Sequence, residues 1–140
     1  MLKKLFWLLL AAGAGLAFWR FGYPATLRYF FKVGGTIQLG SAAGTALPAN
    51  SMLFVIAKND SGVPVAVKKI INPVFPVSFM ITPANLIMPD LLTRSVYVEA
   101  AVNTHGRLEF FRKGDLKGKC AEPVAVFRKD LVIQLAPADN

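Results

Sequence analysis

The hydrophobic pattern changes period once along this chain. From Leu5 to Trp19, LFWLLLAAGAGLAFW, fifteen residues pass without a charge, preceded by Lys3 and Lys4 and followed by Arg20. With Arg20 snorkelling, the apolar stretch extends to Tyr23 and reaches roughly the 20 residues a spanning helix needs. Trp7 and Trp19 stand near its two ends, where interfacial aromatics belong. The pattern therefore predicts a transmembrane signal-anchor over residues 1–23. Gly15-Leu16-Ala17 offers small residues for cleavage, but bulky Phe18 and Trp19 follow at once, which favours retention of the segment. Residues 24–33, PATLRYFFKV, mix apolar side chains with Arg28 and Lys32. They read as an amphipathic juxtamembrane linker, lying either in the headgroup zone or against the following domain.

From residue 34 the period becomes two, and residues 34–140 read as one β domain. Gly34-Gly35 is expected to break the helix, and Ile37 and Leu39 point inward from a first strand. Met52 to Ala57 is continuously apolar, as in a central strand covered on both faces. Asn59-Asp60-Ser61-Gly62 is a turn signal. Val65 to Val67 lead into Lys68-Lys69, a strand running out to solvent. Phe75, Val77, Phe79 and Ile81 alternate around Pro76, which places that strand at an edge or a bulge. Thr82 to Leu92 is a proline-broken crossing connection with one helical turn at Ala84–Ile87. Val96, Val98, Ala100 and Val102 form one face of the clearest strand. Leu108–Phe111 is expected to be a strand, residues 113–122 a charged loop, and Val124–Phe127 and Leu131–Leu135 the closing strands.

Seven to eight antiparallel strands of this length predict an all-β, immunoglobulin-like sandwich behind a single N-terminal transmembrane helix. Phe54, Phe79, Val98 and Ile133 belong in its core, each contributing about 1.5–3 kcal/mol by burial.

Charge changes the picture only after it is divided. The net +8 suggests nucleic acid, but residues 1–33 hold five basic residues and no acid, while residues 34–140 hold eleven basic and eight acidic. The excess belongs to the apolar segment, where anionic lipid headgroups explain it, and no nucleic-acid partner is expected. Arg20, Tyr23, Arg28 and Lys32, with Trp7 and Trp19, form the expected membrane-interface set, with membrane lipid as their partner. The flanking charges are nearly balanced. The short tail before the first apolar helix is what favours a periplasmic or extracytoplasmic domain on a single-pass cytoplasmic (inner) membrane protein.

Chemistry is sparse. One histidine and one cysteine cannot supply a cupredoxin or zinc ligand set. His105 reads as an exposed hairpin-tip residue and Cys120 as a half-buried turn residue. No haem-attachment C-x-x-C-H and no phosphate-binding loop are present. No catalytic residue, metal or cofactor is expected. The candidate partner-binding surface consists of Met80, Met88 and Leu92, around the proline-rich connection, with Lys68 and Lys69 beside it.

Four stretches carry a family resemblance: GTIQL (35–39); MLFVIAK (52–58) with VPVAVKK (63–69); FPVSFMI followed by IMP, within 75–89; and GDLKG (114–118) before Pro123-Val124 and the closing LVIQL. In this order the chain resembles the C-terminal extracytoplasmic domain of CcmI/CycH-type cytochrome c maturation proteins, without that family's helical repeat region. The resemblance implies a membrane-anchored, non-enzymatic protein that binds a protein partner, either the cytochrome c maturation machinery or apocytochrome c. The second expectation is a structural or assembly subunit of another membrane complex.

Overall fold

The computed structural model of the protein describes residues 1–44 and 47–138. An α-helix, α1 (Leu2–Ala17), passes through one π-helical turn (Phe18–Gly22) into α2 (Tyr23–Phe30). The π turn forms where the Tyr23 N–H donates to the Phe18 carbonyl. Gly22 permits it, since a Cβ there would collide with the Phe18 ring. The resulting 29-residue helix is long and apolar enough to cross a membrane, and its apolar window buries nothing against the domain. The far end behaves differently. Leu27 is buried and Phe31, just past the helix, is fully enclosed, both within the hydrophobic core of the strands.

Eight strands follow: β1 (Val33–Leu39), β2 (Met52–Lys58), β3 (Pro64–Ile71), β4 (Val77–Ile81), β5 (Ser95–Asn103), β6 (Leu116–Lys119), β7 (Val124–Ala125) and β8 (Leu131–Pro137). They hydrogen-bond in the continuous order β3-β2-β5-β6-β8-β1-β4, with β7 a short addition to β5. The ladder does not divide into two separate sheets, and β8 is the strand that joins its halves. Residues 131–135 pair with β1, and Ala136 and Pro137 pair with β6.

The β1–β8 pairing is parallel, which corrects the all-antiparallel expectation. The helix delivers the chain to the start of β1. The segment before β8 returns to the same end, where the Lys32 and Gly34 N–H groups donate to the Val126 and Arg128 carbonyls. Two strands that leave from one end and lie side by side must run the same way.

The outer strands, β3 and β4, approach each other and make the sheet nearly a barrel. The β4–β5 connection fills the seam. Leu86 bridges Ala66, the Ile87 and Met88 N–H groups share the Val65 carbonyl, and the Lys68 ammonium donates to the Met80 carbonyl at 2.9 Å. An edge left open would present unpaired donors and acceptors. Placing β4 at the end of the order agrees with the constraint Pro76 imposes.

The interior follows the predicted alternation. Phe79, Val98 and Ile133 are all buried in it, as are Leu53, Val55, Leu131 and Leu135. Phe54, expected in the core, is instead buried on the outer face with Ile56, so β2 is covered on both sides.

Four expectations need local correction. Gly34 and Gly35 lie within β1 rather than ahead of it, because β1 and β8 approach so closely that a Cβ on Gly35 would strike the Leu131 carbonyl. Leu108–Phe111 is not a strand; the central strand is β6, inside the stretch expected to be a loop. The apolar run LEFF imitates a strand, whereas LKGK buries only Leu116 and depends on Gly118 to admit the Gln134 carbonyl. The connection after β4 carries 3-10 turns at Pro83–Asn85 and Pro89–Leu91 in place of one turn at 84–87. The strand expected over Val124–Phe127 is confined to Val124–Ala125.

Candidate functional site

Because side chains alternate across a strand, register decides what the outer face of the sheet presents. Ile56 lies opposite Val67 on β3 and Glu99 on β5, and Glu99 lies opposite Lys119 on β6. The next row carries Lys69, Phe54, Ala101 and Lys117, and Lys117 lies opposite Ala136 on β8. This row pattern gives an apolar floor with lysines at its margins.

The chain between β5 and β6 supplies a wall, through Leu108 and Phe111. Together they enclose a groove of about 630 Å³. Lys58 and Glu99 form an ion pair at 2.8 Å across the rim, and the Lys117 ammonium lies 5.4 Å from the Phe111 ring centroid. With Glu99 already paired, Lys117 and Lys119 leave the rim net positive. The groove has the size and mixed lining of a ligand or peptide site.

The wall is held by a compact polar network. The His105 Nδ1 accepts the Arg107 N–H at 3.2 Å, which leaves Nε2 as the protonated nitrogen; it donates to the Asp115 carboxylate at 2.8 Å. Asp115 also accepts the Arg112 N–H at 2.7 Å, and its carbonyl accepts the Ala138 N–H. Asn103 closes the turn by accepting the Gly106 N–H and donating to the Arg107 carbonyl. The Phe110 ring stacks on His105 at 5.2 Å, and the Arg112 guanidinium lies 5.2 Å from the same ring.

The His105 and Asp115 side chains are only 9% and 6% exposed, so the exposed-tip expectation for His105 is corrected. The signal for this partnership was an acid ten residues on, within a stretch that reads as solvated loop.

Cys120 stands elsewhere, at the end of β6, with its N–H on the Val98 carbonyl. Burial pushes its thiol pKa up, with the Arg128 charge pulling the other way. A thiol raised in this way is held protonated and is a poor nucleophile.

The residues expected to form one partner surface are dispersed. Lys68 and Met80 meet across the β3–β4 seam, and Met80 covers the backbone at Gly34. Met88 is exposed, Leu92 packs against the core, and Lys69 sits on the outer face with its ammonium 5.8 Å from the Phe54 ring.

Of the interfacial set, Trp7 and Arg20 are exposed, and Trp19 stacks on Tyr23 at 5.4 Å. Arg28 pairs with Asp90 at 2.6 Å, and Lys32 is exposed beside the end of the helix. The groove itself escaped sequence reading because its parts lie on six separated segments.

The architecture is a nearly closed β module behind a long apolar helix. A family model, the cytochrome c-type biogenesis protein H Ig-like domain, matches residues 33–136, and the chain belongs to that family. A search of curated proteins found no match. Among solved structures, an alternative pilotin from the type II secretion system of Vibrio cholerae is similar in fold. Its TM-score is 0.52 at 15% sequence identity, covering 78% of this chain and 97% of that one.

Proposed function

We propose that this protein is a membrane-anchored, non-enzymatic accessory factor of c-type cytochrome maturation. Its helix anchors it in the cytoplasmic membrane, and its β domain works on the extracytoplasmic side by binding a protein partner in the outer-face groove. The observation that carries the binding role is the groove itself, an apolar floor walled by Leu108 and Phe111 with Lys117 and Lys119 at its rim. Such a surface accepts a peptide segment with apolar side chains and an acidic residue. The family supplies the pathway. The partner belongs either to the haem-ligation machinery or to apocytochrome c itself.

A deletion strain should lose covalent haem from its c-type cytochromes on a haem-stained gel. The wild-type gene should restore it. A Leu108→Asp/Phe111→Asp variant should not, at equal protein level, because both side chains are at least partly exposed and leave the core intact. Normal covalent haem in the deletion strain overturns the maturation role. Co-purification with an unrelated membrane complex would instead favour a docking subunit, a reading supported only by the fold shared with a pilotin.

A further inference from the structure

The helix meets the domain along one edge, and the contacts there have a direction. Asp90 reaches Arg28 at 2.6 Å. Four residues later, the Arg94 guanidinium lies 4.9 Å from the Tyr23 ring and 5.8 Å from the Trp19 ring. Between them, the segment descends along the helix towards its apolar part. It is fixed to the turn after β2, where the Asn59 amide donates to the Leu91 carbonyl and the Asp60 N–H to the Thr93 hydroxyl.

A hydrocarbon layer about 30 Å thick takes about 20 helical residues. Counted from Leu5, that layer ends near Pro24. Arg94 then lies at headgroup depth.

The same connection exposes large apolar side chains, with Ile87 at 56%, Met88 at 46% and Leu91 at 45% exposure. Tyr29 and Phe30 are exposed on the adjoining helix. The acid within the segment, Asp90, is neutralised by Arg28, while Arg94 and Arg20 have no carboxylate partner among the described residues. Asp60, in the neighbouring turn, is an exposed acid. Apolar side chains beside these arginines at this depth suit an anionic bilayer surface.

We infer that the β4–β5 connection, Ile87 to Arg94, is a second membrane contact, seated in the headgroup layer of the bilayer that holds the helix. It rests on the reading of the helix as a membrane anchor. The contact fixes the tilt of the domain. The ends of β3 and β5 near Ile71 and Asn103 then point away from the lipid, since β5 runs outward for nine residues from its start beside Arg94.

The test uses the full chain in nanodiscs of phosphatidylethanolamine and phosphatidylglycerol. Single spin labels are placed at Leu91→Cys, Leu10→Cys or Val74→Cys in a Cys120→Ala background. Each label's accessibility to oxygen and to a water-soluble nickel chelate is measured. Val74 is 82% exposed and lies in the β3–β4 connection, at the far end of the domain.

The expected result is oxygen-accessible label at Leu10, nickel-accessible label at Val74, and a clear loss of nickel accessibility at Leu91 relative to Val74. Equal nickel accessibility at Leu91 and Val74, with Leu10 in hydrocarbon, overturns the contact and leaves the anchor standing. Such a result turns the exposed side chains of the connection towards a protein. An aqueous Leu10 overturns the anchor and the contact together.

Discussion

At the scale of single residues, the Asp115 carboxylate does the most to shape the outer face. One oxygen accepts both the His105 Nε2–H and the Arg112 N–H. Asn in its place can keep both bonds by setting its amide oxygen where that carboxylate oxygen stands, whereas Ala removes the acceptor from both donors. With Ala at 115, the His105 Nε2–H and the Arg112 N–H both lose their partner, and the ring that accepts the Arg107 N–H is no longer held. A buried donor left unmatched costs about 1–3 kcal/mol. Asp115→Ala should therefore lower the melting temperature and speed hydrogen exchange at the Arg107 and Arg112 amides, and Asp115→Asn should do so less. Unchanged exchange at both amides would show that the loop is held by other contacts. Because this loop carries Leu108 and Phe111, Asp115→Ala should also weaken partner capture by the groove.

At the scale of elements, close backbone approach governs the middle of the sheet. β6 has four residues and lies between β5 and β8, and a Cβ on Gly118 would overlap the Gln134 carbonyl. Gly118→Ala must push β6 away from β8 at the point where the two halves of the ladder meet. Overpacking of this kind costs about 1–3 kcal/mol. The expected readout is a lower midpoint in denaturant with an unchanged slope. A midpoint equal to wild type would show that β8 shifts freely.

This element also marks the limit of what the sequence displays. β5 and β8 are visible from their alternation and β2 from its continuous apolar run, because burial of Val98, Ile133 and Val55 requires these patterns. β6 is not, since three of its four residues are Lys, Gly and Lys, and its place comes from backbone pairing with neighbours distant in sequence. LEFF fails in the opposite sense, as its apolar residues serve the groove wall rather than a ladder. The groove floor was legible only as separate strand faces, because no local pattern states that Ile56 stands beside Glu99 and Glu99 beside Lys119.

At the scale of the whole molecule, the helix and the β domain share one core. Phe31 is fully buried and Leu27 nearly so, and they pack among residues from the strands. An ordinary flexible tether would leave the domain indifferent to its anchor, whereas here the last turn of the helix is part of the fold. Replacing a buried Phe by Ala typically costs about 3–5 kcal/mol, a large fraction of the 5–15 kcal/mol available to a small domain. Phe31→Ala in the detergent-solubilised full chain should therefore lower the thermal midpoint of the β-sheet signal. Phe30→Ala, an exposed neighbour, should leave it nearly unchanged. Equal midpoints for the two variants would mean that the domain folds without its helix and that the junction is only a link. If the Phe31 variant alone is lost, the orientation of the groove relative to the helix is built into the core.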